Sequence, residues 1–303
     1  MLSHAIDRYL ALRRAVGFAL KVDEGLLRNF ARFAATRGER HVTQHTAIDW
    51  AATAPSPNQR ERRLGMMRRF AYHARAEEPA HELVARQVFA HKRQRPLPYI
   101  FSPGEVGQLL EATARLRPRR SLRPHTYATL FGLLAATGLR VSEAMRLVLD
   151  DVTPDGLVIR QTKFRKHRLV PLHATTAGAL QRYLEHRQAR GGGDDHVFLS
   201  THGRPVTYAM VNGTFRFLLR ALTPRGTPAH RAPRIHDLRH YFAVRALESS
   251  PPGRPGIERH ILALSTYLGH AHVTDTYWYL QATPHLMATV ADACEAFIHG
   301  GTP

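Results

Sequence analysis

The chain has 303 residues, of which 44% are hydrophobic and 22% are charged, so it can bury a core and is not a disordered polymer. Its length suits two domains of ordinary size. The formal net charge is +19. Residues 1–95 contribute +9 and residues 96–303 contribute +10. A field of this size favours polyanionic partners, and its spread over both halves favours a clamp around nucleic acid over a single basic tail.

Cysteine content and hydropathy indicate the cellular compartment of the protein. Cys294 is the only cysteine, so no intramolecular disulfide can form, which fits a reducing cytoplasm. The first residues carry charges where a signal peptide requires an apolar run. No apolar stretch approaches the length of a membrane span. We therefore expect a cytoplasmic protein that is not associated with a membrane.

Residues 1–92 are predicted to form a helical domain. Apolar side chains such as Leu27 and Phe30 recur at helical spacing, and Trp50 is expected to anchor the core. In the segment 59–75, an apolar stripe is surrounded by arginines. A solvated basic face and a phosphate-facing helix both explain this pattern. The candidate DNA contacts on this helix are Arg60, Arg62, Arg63, Arg68 and Arg69.

Residues 93–99 are predicted to be a linker, because two prolines favour extended backbone there. A second domain, 100–303, should begin with a helix capped by Ser102, and a later helix should end at Gly138. The strings GLVIRQT and HRLVPL flank the polar turn KFRK and predict a β-hairpin. The remainder is predicted to be helical, so the fold class is mainly α with a small β-hairpin sheet.

Three residues of the second domain have side chains suited to holding a phosphate. Arg140 follows Gly138 and should stand at the start of a helix, where anions are favoured. His236 and Arg239, in the string HDLRH, are three residues apart and should share a helix face. Together they can address two oxygens of one phosphate.

The string HDLRH is also compatible with a metal site. His236 and His240 are four residues apart, and Asp237 follows the first histidine, as in a distorted HExxH zinc motif. Aspartate replaces the usual glutamate, and Arg239 would add positive charge beside a dication. A histidine satisfied within the core is a further alternative for His236.

The spacing between His270 and Tyr279 bears on whether the helix is continuous between them. Nine residues at about 100° each place the two side chains on opposite faces of a continuous helix. They can share a phosphate only if the helix breaks, and Gly269 is a stop signal, with Thr274 or Asp275 available to cap a new helix. By local sequence alone, Tyr277 is as suitable a nucleophile as Tyr279.

These motifs, in this order, resemble the tyrosine recombinases of the phage integrase family over roughly residues 100–290. The matching strings are GLRVSEAMRL, a hairpin lysine before RLVPL, HDLRH, and LGH followed nine residues later by tyrosine. The resemblance implies a helical core-binding domain followed by an α+β catalytic domain. It implies the catalytic set Arg140, Lys163, His236, Arg239, His270 and Tyr279.

The resemblance implies a reaction that needs no cofactor and no metal. Tyr279 would attack the scissile phosphate, leaving a 3′-phosphotyrosyl link and a free 5′-hydroxyl. Lys163 would protonate the leaving oxygen. Lys163 stands six residues before Leu169, as the family's lysine does, whereas Lys166 is only a candidate DNA contact. Glu143, one turn after Arg140, is expected to orient the site.

The resemblance also implies partners. The expected substrate is double-stranded DNA with inverted-repeat core sites, bound by a tetramer with possible accessory proteins, in a transposon or other mobile element. A C-terminal helix at about 284–300 has an apolar stripe that would dock on a neighbouring protomer, with docking on its own domain as the alternative. The stripe comprises Leu286, Val290, Ala293 and Phe297.

Two other functions fit the sequence. A type IB topoisomerase relaxes DNA with a similar constellation of residues. A DNA-binding regulator with a silent site would share the charge, although all six catalytic side chains are present. Neither the DNA target nor the direction of recombination follows from the sequence.

Overall fold

The computed structural model describes residues 2–89, 98–160, 167–191, 193–222, 232–249 and 254–269, together with residues 272, 274, 276 and 279. For residues 254–258, only the backbone is described. The chain divides into two compact units, Met1–Pro96 and Leu97–Pro303. Among the described residues, no helix is long and apolar enough to cross a membrane.

The described part of the first unit consists of helices joined by short loops. Their apolar faces meet in one core, which includes Phe30, Trp50 and Phe70, as the helical periodicity predicted. The side chains of Thr43 and Ser56 accept hydrogen bonds from the first turns of the third and fourth helices. The helices are α1 (Leu2–Ala15), α2 (Lys21–Ala35), α3 (Gln44–Ala52) and α4 (Pro57–Glu77).

The second unit is mainly helical and contains a small antiparallel sheet, which confirms the predicted fold class. Ser102 and Glu105 form the capping box that begins its first helix. A continuous core runs through the unit and includes Phe131 and Phe215. The helices are α5 (Pro103–Thr113), α6 (Arg123–Thr137), α7 (Val141–Ala144), α8 (Ala174–Gln188), α9 (Tyr208–Leu222), α10 (Asp237–Glu248) and α11 (Arg254–Leu268).

The sheet has three strands in its described part, in the order β1 (Val152–Thr153), β2 (Gly156–Ile159) and β3 (Arg168–Val170). β2 and β3 form the predicted hairpin, with Leu157 opposite Val170. β1 was not predicted, because a strand of two residues gives no alternating pattern. The hairpin turn, with Lys163 and Lys166, lies outside the described residues.

Two glycines end the helices that carry the site, as the sequence predicted. α6 ends at Gly138, which has a φ of 62°, and α11 is followed by Gly269, which has a φ of 65°. Both values lie in the left-handed region, which glycine enters at little cost. At Gly138 there is also no room for a side chain, since a Cβ atom would lie 2.5 Å from Phe242 and 2.9 Å from Leu268. The ends of α6 and α11 and the side of α10 therefore meet at this glycine.

Candidate active site

Arg239 lies at the centre of this meeting point. Its Nη1 donates a hydrogen bond of 2.6 Å to the carbonyl of Gly138, and its Nη2 donates one of 2.8 Å to the carbonyl of Leu268. These are carbonyl groups at the ends of α6 and α11, where the helix dipoles concentrate partial negative charge. The residue is 2% exposed. The carbonyl groups thus compensate for the burial of the guanidinium and fix its position.

Burial and the neighbouring Arg140 both disfavour the charged form of Arg239. Desolvation is the larger of these effects, and together they lower the pKa of Arg239 to about 10. The guanidinium therefore remains protonated at neutral pH. Its charge is held in a region of low dielectric constant, where it acts more strongly on an anion than a solvated arginine would.

Arg140 stands at the start of α7, as predicted, and is held by its own helix and by the turn after α11. Its Nη1 donates to Glu143 Oε1 at 2.8 Å, and its backbone N–H donates to Glu143 Oε2 at 3.0 Å. Its Nη2 donates to the carbonyl of Gly269 at 3.3 Å. Arg140 and Arg239 thus bind the consecutive carbonyls of Leu268 and Gly269, immediately before His270.

Glu143 is the buried carboxylate of this site. Arg168, the first residue of β3, donates to both of its oxygens, at 2.8 Å and 3.2 Å. Burial alone would raise the pKa of Glu143, but the hydrogen bonds and charges of Arg168 and Arg140 outweigh it and lower the pKa to about 2. We call Arg140, Glu143 and Arg168 the Glu143 cluster. It contains one negative and two positive charges.

Tyr279 lies beyond the predicted helix break and returns to the same region. α11 ends at Leu268, and the backbone at Thr274, Thr276 and Tyr279 is again helical. Tyr279 is 3% exposed and packs with apolar side chains of α10 and α11. It is close enough to Arg239 for an electrostatic interaction that favours the charged arginine.

The two histidines of α10 differ in their surroundings. His236 is the exposed N-cap residue of this helix, whereas His240 is buried. The ring of His240 lies between two other rings, 4.8 Å from His236 and 5.3 Å from Tyr279, centroid to centroid. Its Nε2 is 3.8 Å from the buried carboxylate of Asp237. His240 therefore links the exposed N-cap of α10 to the buried tyrosine ring.

The zinc alternative requires further ligands near His236 and His240. A structural zinc site needs four ligands and a catalytic one needs three from the protein. Within the described ranges, no three histidine, cysteine, aspartate or glutamate side chains form a group that could hold a metal ion. The contacts of His240 described above are with the rings of His236 and Tyr279 and with Asp237.

The structure thus places Arg140, Arg239 and Tyr279 in one region, with His236 at its exposed side. Lys163, Lys166, His270 and the segment 284–300, which was predicted to be helical, lie outside the described residues. The sequence interpretation missed the roles of Arg168 and His240. No signal in the sequence indicated Arg168, because the exposure of its neighbour Leu169, which turns Arg168 the other way, is seen only in the fold. His240 was considered only as a zinc ligand.

The five candidate DNA-binding arginines of α4 fall into two groups. Arg60 donates to the carbonyl of Ala54, Arg63 donates to the carbonyl of Trp50, and Arg68 pairs with Glu61 at 2.6 Å. These three guanidinium groups are therefore bound to the first unit itself. Arg62 and Arg69 are exposed, and Arg69 is 3.8 Å from Asp23. These two are the arginines of α4 that are best placed to meet an external phosphate.

Comparison with known proteins identifies the family of this chain. Residues 100–285 match the phage integrase family. The Sinorhizobium fredii protein y4rB, named as an integrase/recombinase, is 38% identical over 293 residues and covers 93% of both chains. The tyrosine recombinase XerD of Brucella abortus is 30% identical over 235 residues, which are 76% of this chain and 73% of XerD.

Solved structures share the fold at lower identity. The Tn1549 transposon integrase in complex with transposon right end DNA has a TM-score of 0.67 and 17% identity, over 96% of this chain and 98% of that one. A lambda integrase tetramer bound to a Holliday junction has a TM-score of 0.64 and 18% identity, over 90% and 78%. The fold is that of a tyrosine recombinase catalytic domain with a helical unit before it. The chain belongs to the phage integrase family and is a site-specific DNA recombinase.

Proposed function

We propose that the protein cuts and rejoins DNA strands through a 3′-phosphotyrosyl intermediate. The Oη of Tyr279 attacks the scissile phosphate, the 5′-hydroxyl leaves, and the 5′-hydroxyl of a partner strand reverses the step. The energy of the phosphodiester bond is kept in the protein–DNA link, so ATP is not required. The observation that carries this proposal is the convergence of Arg140, Arg239 and Tyr279 around the ends of α6 and α11.

Arg140 and Arg239 form the phosphate clamp of this proposal. Their guanidinium groups neutralise the charge that develops on the non-bridging oxygens, and both are fixed by protein carbonyls before DNA arrives. A donor that is already in place needs no reorganisation during the reaction, which is the main source of electrostatic catalysis. Glu143 orients Arg140 through two hydrogen bonds.

On the family's pattern, two residues transfer protons and a third binds the phosphate. Lys163 is the general acid for the leaving 5′-oxygen, because its pKa can be tuned in a way that an arginine's cannot. His236 accepts the proton of Tyr279, and its exposed position at the N-cap of α10 leaves it accessible to DNA. His270 donates a hydrogen bond to the phosphate. No step is assigned to a metal ion.

The substrate is double-stranded DNA with inverted-repeat core sites, and the active assembly is a tetramer on two sites. The net charge of +19 supports the first part. The DNA-bound Tn1549 integrase and the lambda integrase tetramer, which share the fold, support both parts. In this assembly the helix at 284–300 docks on the neighbouring protomer. The gene belongs to a mobile element, and the protein acts in the bacterial cytoplasm at the nucleoid.

Covalent trapping on nicked DNA tests the mechanism. Nicked duplexes that tile the DNA flanking the gene should yield a protein–DNA adduct with the parent protein, and Tyr279→Phe should abolish it. Tyr277→Phe is the matched control and should retain the adduct. The opposite pattern would assign the nucleophile to Tyr277, and adduct formation on any duplex without a specific site would favour the topoisomerase.

The leaving-group assignment has its own test. Lys163→Ala should lose most of its cleavage rate on ordinary DNA, because the 5′-oxygen then leaves without a proton. A substrate with a 5′-bridging sulfur needs no acid, and the variant should cleave it at nearly the parent rate. The parent protein on both substrates is the control. A variant that stays slow on the sulfur substrate would contradict the assignment.

A further inference from the structure

Arg168 and Arg140 both donate hydrogen bonds to the carboxylate of Glu143. Oε1 of Glu143 accepts one hydrogen bond from Arg140 Nη1, at 2.8 Å, and one from Arg168 Nη1, at 3.2 Å. Oε2 accepts one from the backbone N–H of Arg140, at 3.0 Å, and one from Arg168 Nη2, at 2.8 Å. Each carboxylate oxygen thus receives one bond from each arginine.

The charges of the Glu143 cluster explain why two arginines are needed. A buried carboxylate paired with Arg140 alone would neutralise that guanidinium and weaken its attraction for a phosphate. Arg168 adds a second positive charge, so the cluster keeps a net charge of +1. The side chain of Arg140 is 31% exposed, whereas that of Arg168 is 14% exposed and that of Glu143 is 2% exposed. The surplus charge is therefore accessible at Arg140.

Arg168 also lies against the turn that follows α11. A Cβ atom at position 269 would be only 3.0 Å from Arg168 Nη1, so Gly269 gives the guanidinium its space. The same glycine offers its carbonyl to Arg140. Arg168 therefore connects β3 to the turn on which both clamp arginines are fixed.

We propose that Arg168 is a positioning residue for the phosphate clamp. It shares Glu143 with Arg140, so that Glu143 orients the Arg140 guanidinium toward the scissile phosphate without neutralising its positive charge. This inference rests on the proposed phosphotyrosyl reaction. Arg168 itself does not touch the reacting atoms. Its effect is exerted through Arg140 and should depend on the negative charge of the phosphate.

The test measures the rate of adduct formation on saturating nicked DNA for the parent, Arg168→Met and Arg168→Lys. Two substrates are compared, one with the natural scissile phosphodiester and one with an uncharged methylphosphonate at that position. On the phosphodiester, Arg168→Met should be slower than the parent by about tenfold or more, but by less than the roughly 10²–10³-fold found when a donor to the reacting oxyanion is itself removed, because Arg168 acts only through Arg140. Arg168→Lys should recover part of the rate, since lysine restores the charge but not the two-pronged contact.

On the methylphosphonate, the phosphate has no negative charge for the clamp to neutralise. The ratio of parent to Arg168→Met rates should therefore fall by about tenfold or more, as it should for Arg140→Ala. A defect of equal size on both substrates would show a structural role only and would overturn the inference. Full activity of Arg168→Met on the phosphodiester would overturn it as well.

A matched control comes from the same sheet. Arg160 follows β2 and pairs with the buried Asp151 at 2.5 Å, so Arg160→Met also leaves a buried carboxylate without its arginine. This variant should cleave within about threefold of the parent on both substrates, because the pair is not part of the clamp. If Arg168→Met and Arg160→Met behave alike while the parent forms the adduct, the inference fails and the proposed function stands. If the parent forms no adduct, both fail.

Discussion

The arginines of α4 and those of the clamp illustrate two ways of presenting positive charge. On α4, Arg62 and Arg69 extend into solvent, where salt screens them and their side chains adapt to a partner. At the clamp, Arg239 is buried between two helix ends and Arg140 is held by a carboxylate and a carbonyl. Exposed arginines attract DNA in general, whereas in the proposed reaction arginines that the protein already holds are oriented for one phosphate. The two regions should therefore respond differently to substitution.

The largest effect is expected at Arg239. Arg239→Gln removes the buried charge and leaves the Gly138 and Leu268 carbonyls without their donor. Adduct formation should fall by about 10²–10³-fold or more, because a fixed donor to the phosphate is removed. Arg245→Gln, on the same helix but exposed and paired with Glu248, is the control and should retain activity. A cleavage rate within tenfold of the parent in Arg239→Gln would remove this residue from the clamp.

The next effect concerns acid stability. The folded-state pKa of Glu143 is about 2, below its ordinary value of 4.5. A carboxyl with a lowered pKa stabilises the folded state fully above its unfolded pKa, and this stabilisation is lost as the pH falls from about 4.5 to about 2. It amounts to roughly 3 kcal/mol. Glu143→Gln should therefore reduce the decline in stability of the second unit over this window by up to this amount.

Hydrogen exchange measured separately for residues 1–96 and 97–303 would check this expectation, with the first unit as an internal reference. Glu248→Gln is the control, because its partner Arg245 is exposed and the pair should contribute less than about 1 kcal/mol. An unchanged acid decline in Glu143→Gln would mean that other carboxyl groups determine the acid stability of the second unit.

The smallest effect is expected on α4. Arg62→Gln with Arg69→Gln should weaken DNA binding a few-fold and reduce the salt dependence of binding by about one unit of slope for each phosphate that is no longer neutralised. The cleavage rate at saturating DNA should not change. In the paired control, Arg63→Gln should lower the melting temperature of the first unit instead, since Arg63 binds the Trp50 carbonyl and Thr53. Equal salt slopes for the double variant and the parent would place the DNA elsewhere.

The sequence predicted those parts of the fold that local chemistry determines. Ser102 as a helix cap, Gly138 as a helix end and the break at Gly269 all follow from the conformational preferences of single residues. The motifs also identified Arg140, Arg239 and Tyr279, which the fold brings into one region. The sequence did not show which groups hold the clamp arginines in place, because these partners are remote in the chain, as Gly138 is from Arg239.

The sequence could not predict which charged residues bind the protein itself. Arg63 and Arg62 are neighbours in one basic run, yet only the first meets the end of α3, because the turn before α4 determines how the helix is rotated. Arg168 was likewise indistinguishable from the other basic residues of its hairpin until Glu143 was found opposite it. Such partners are set by packing between elements, which periodicity does not encode.

The two hydrogen bonds of Arg239, to the ends of α6 and α11, bear on which mutated copies of such a gene still encode a folded protein. A copy in which Tyr279 becomes phenylalanine still encodes a folded protein that can occupy its DNA sites and compete with intact copies. A copy without Arg239 also lacks the connection between the ends of α6 and α11, so we expect its product to be less stable and to be degraded sooner. Among degenerate descendants, those that persist as repressors of their active relatives should therefore retain this arginine long after the nucleophile has gone.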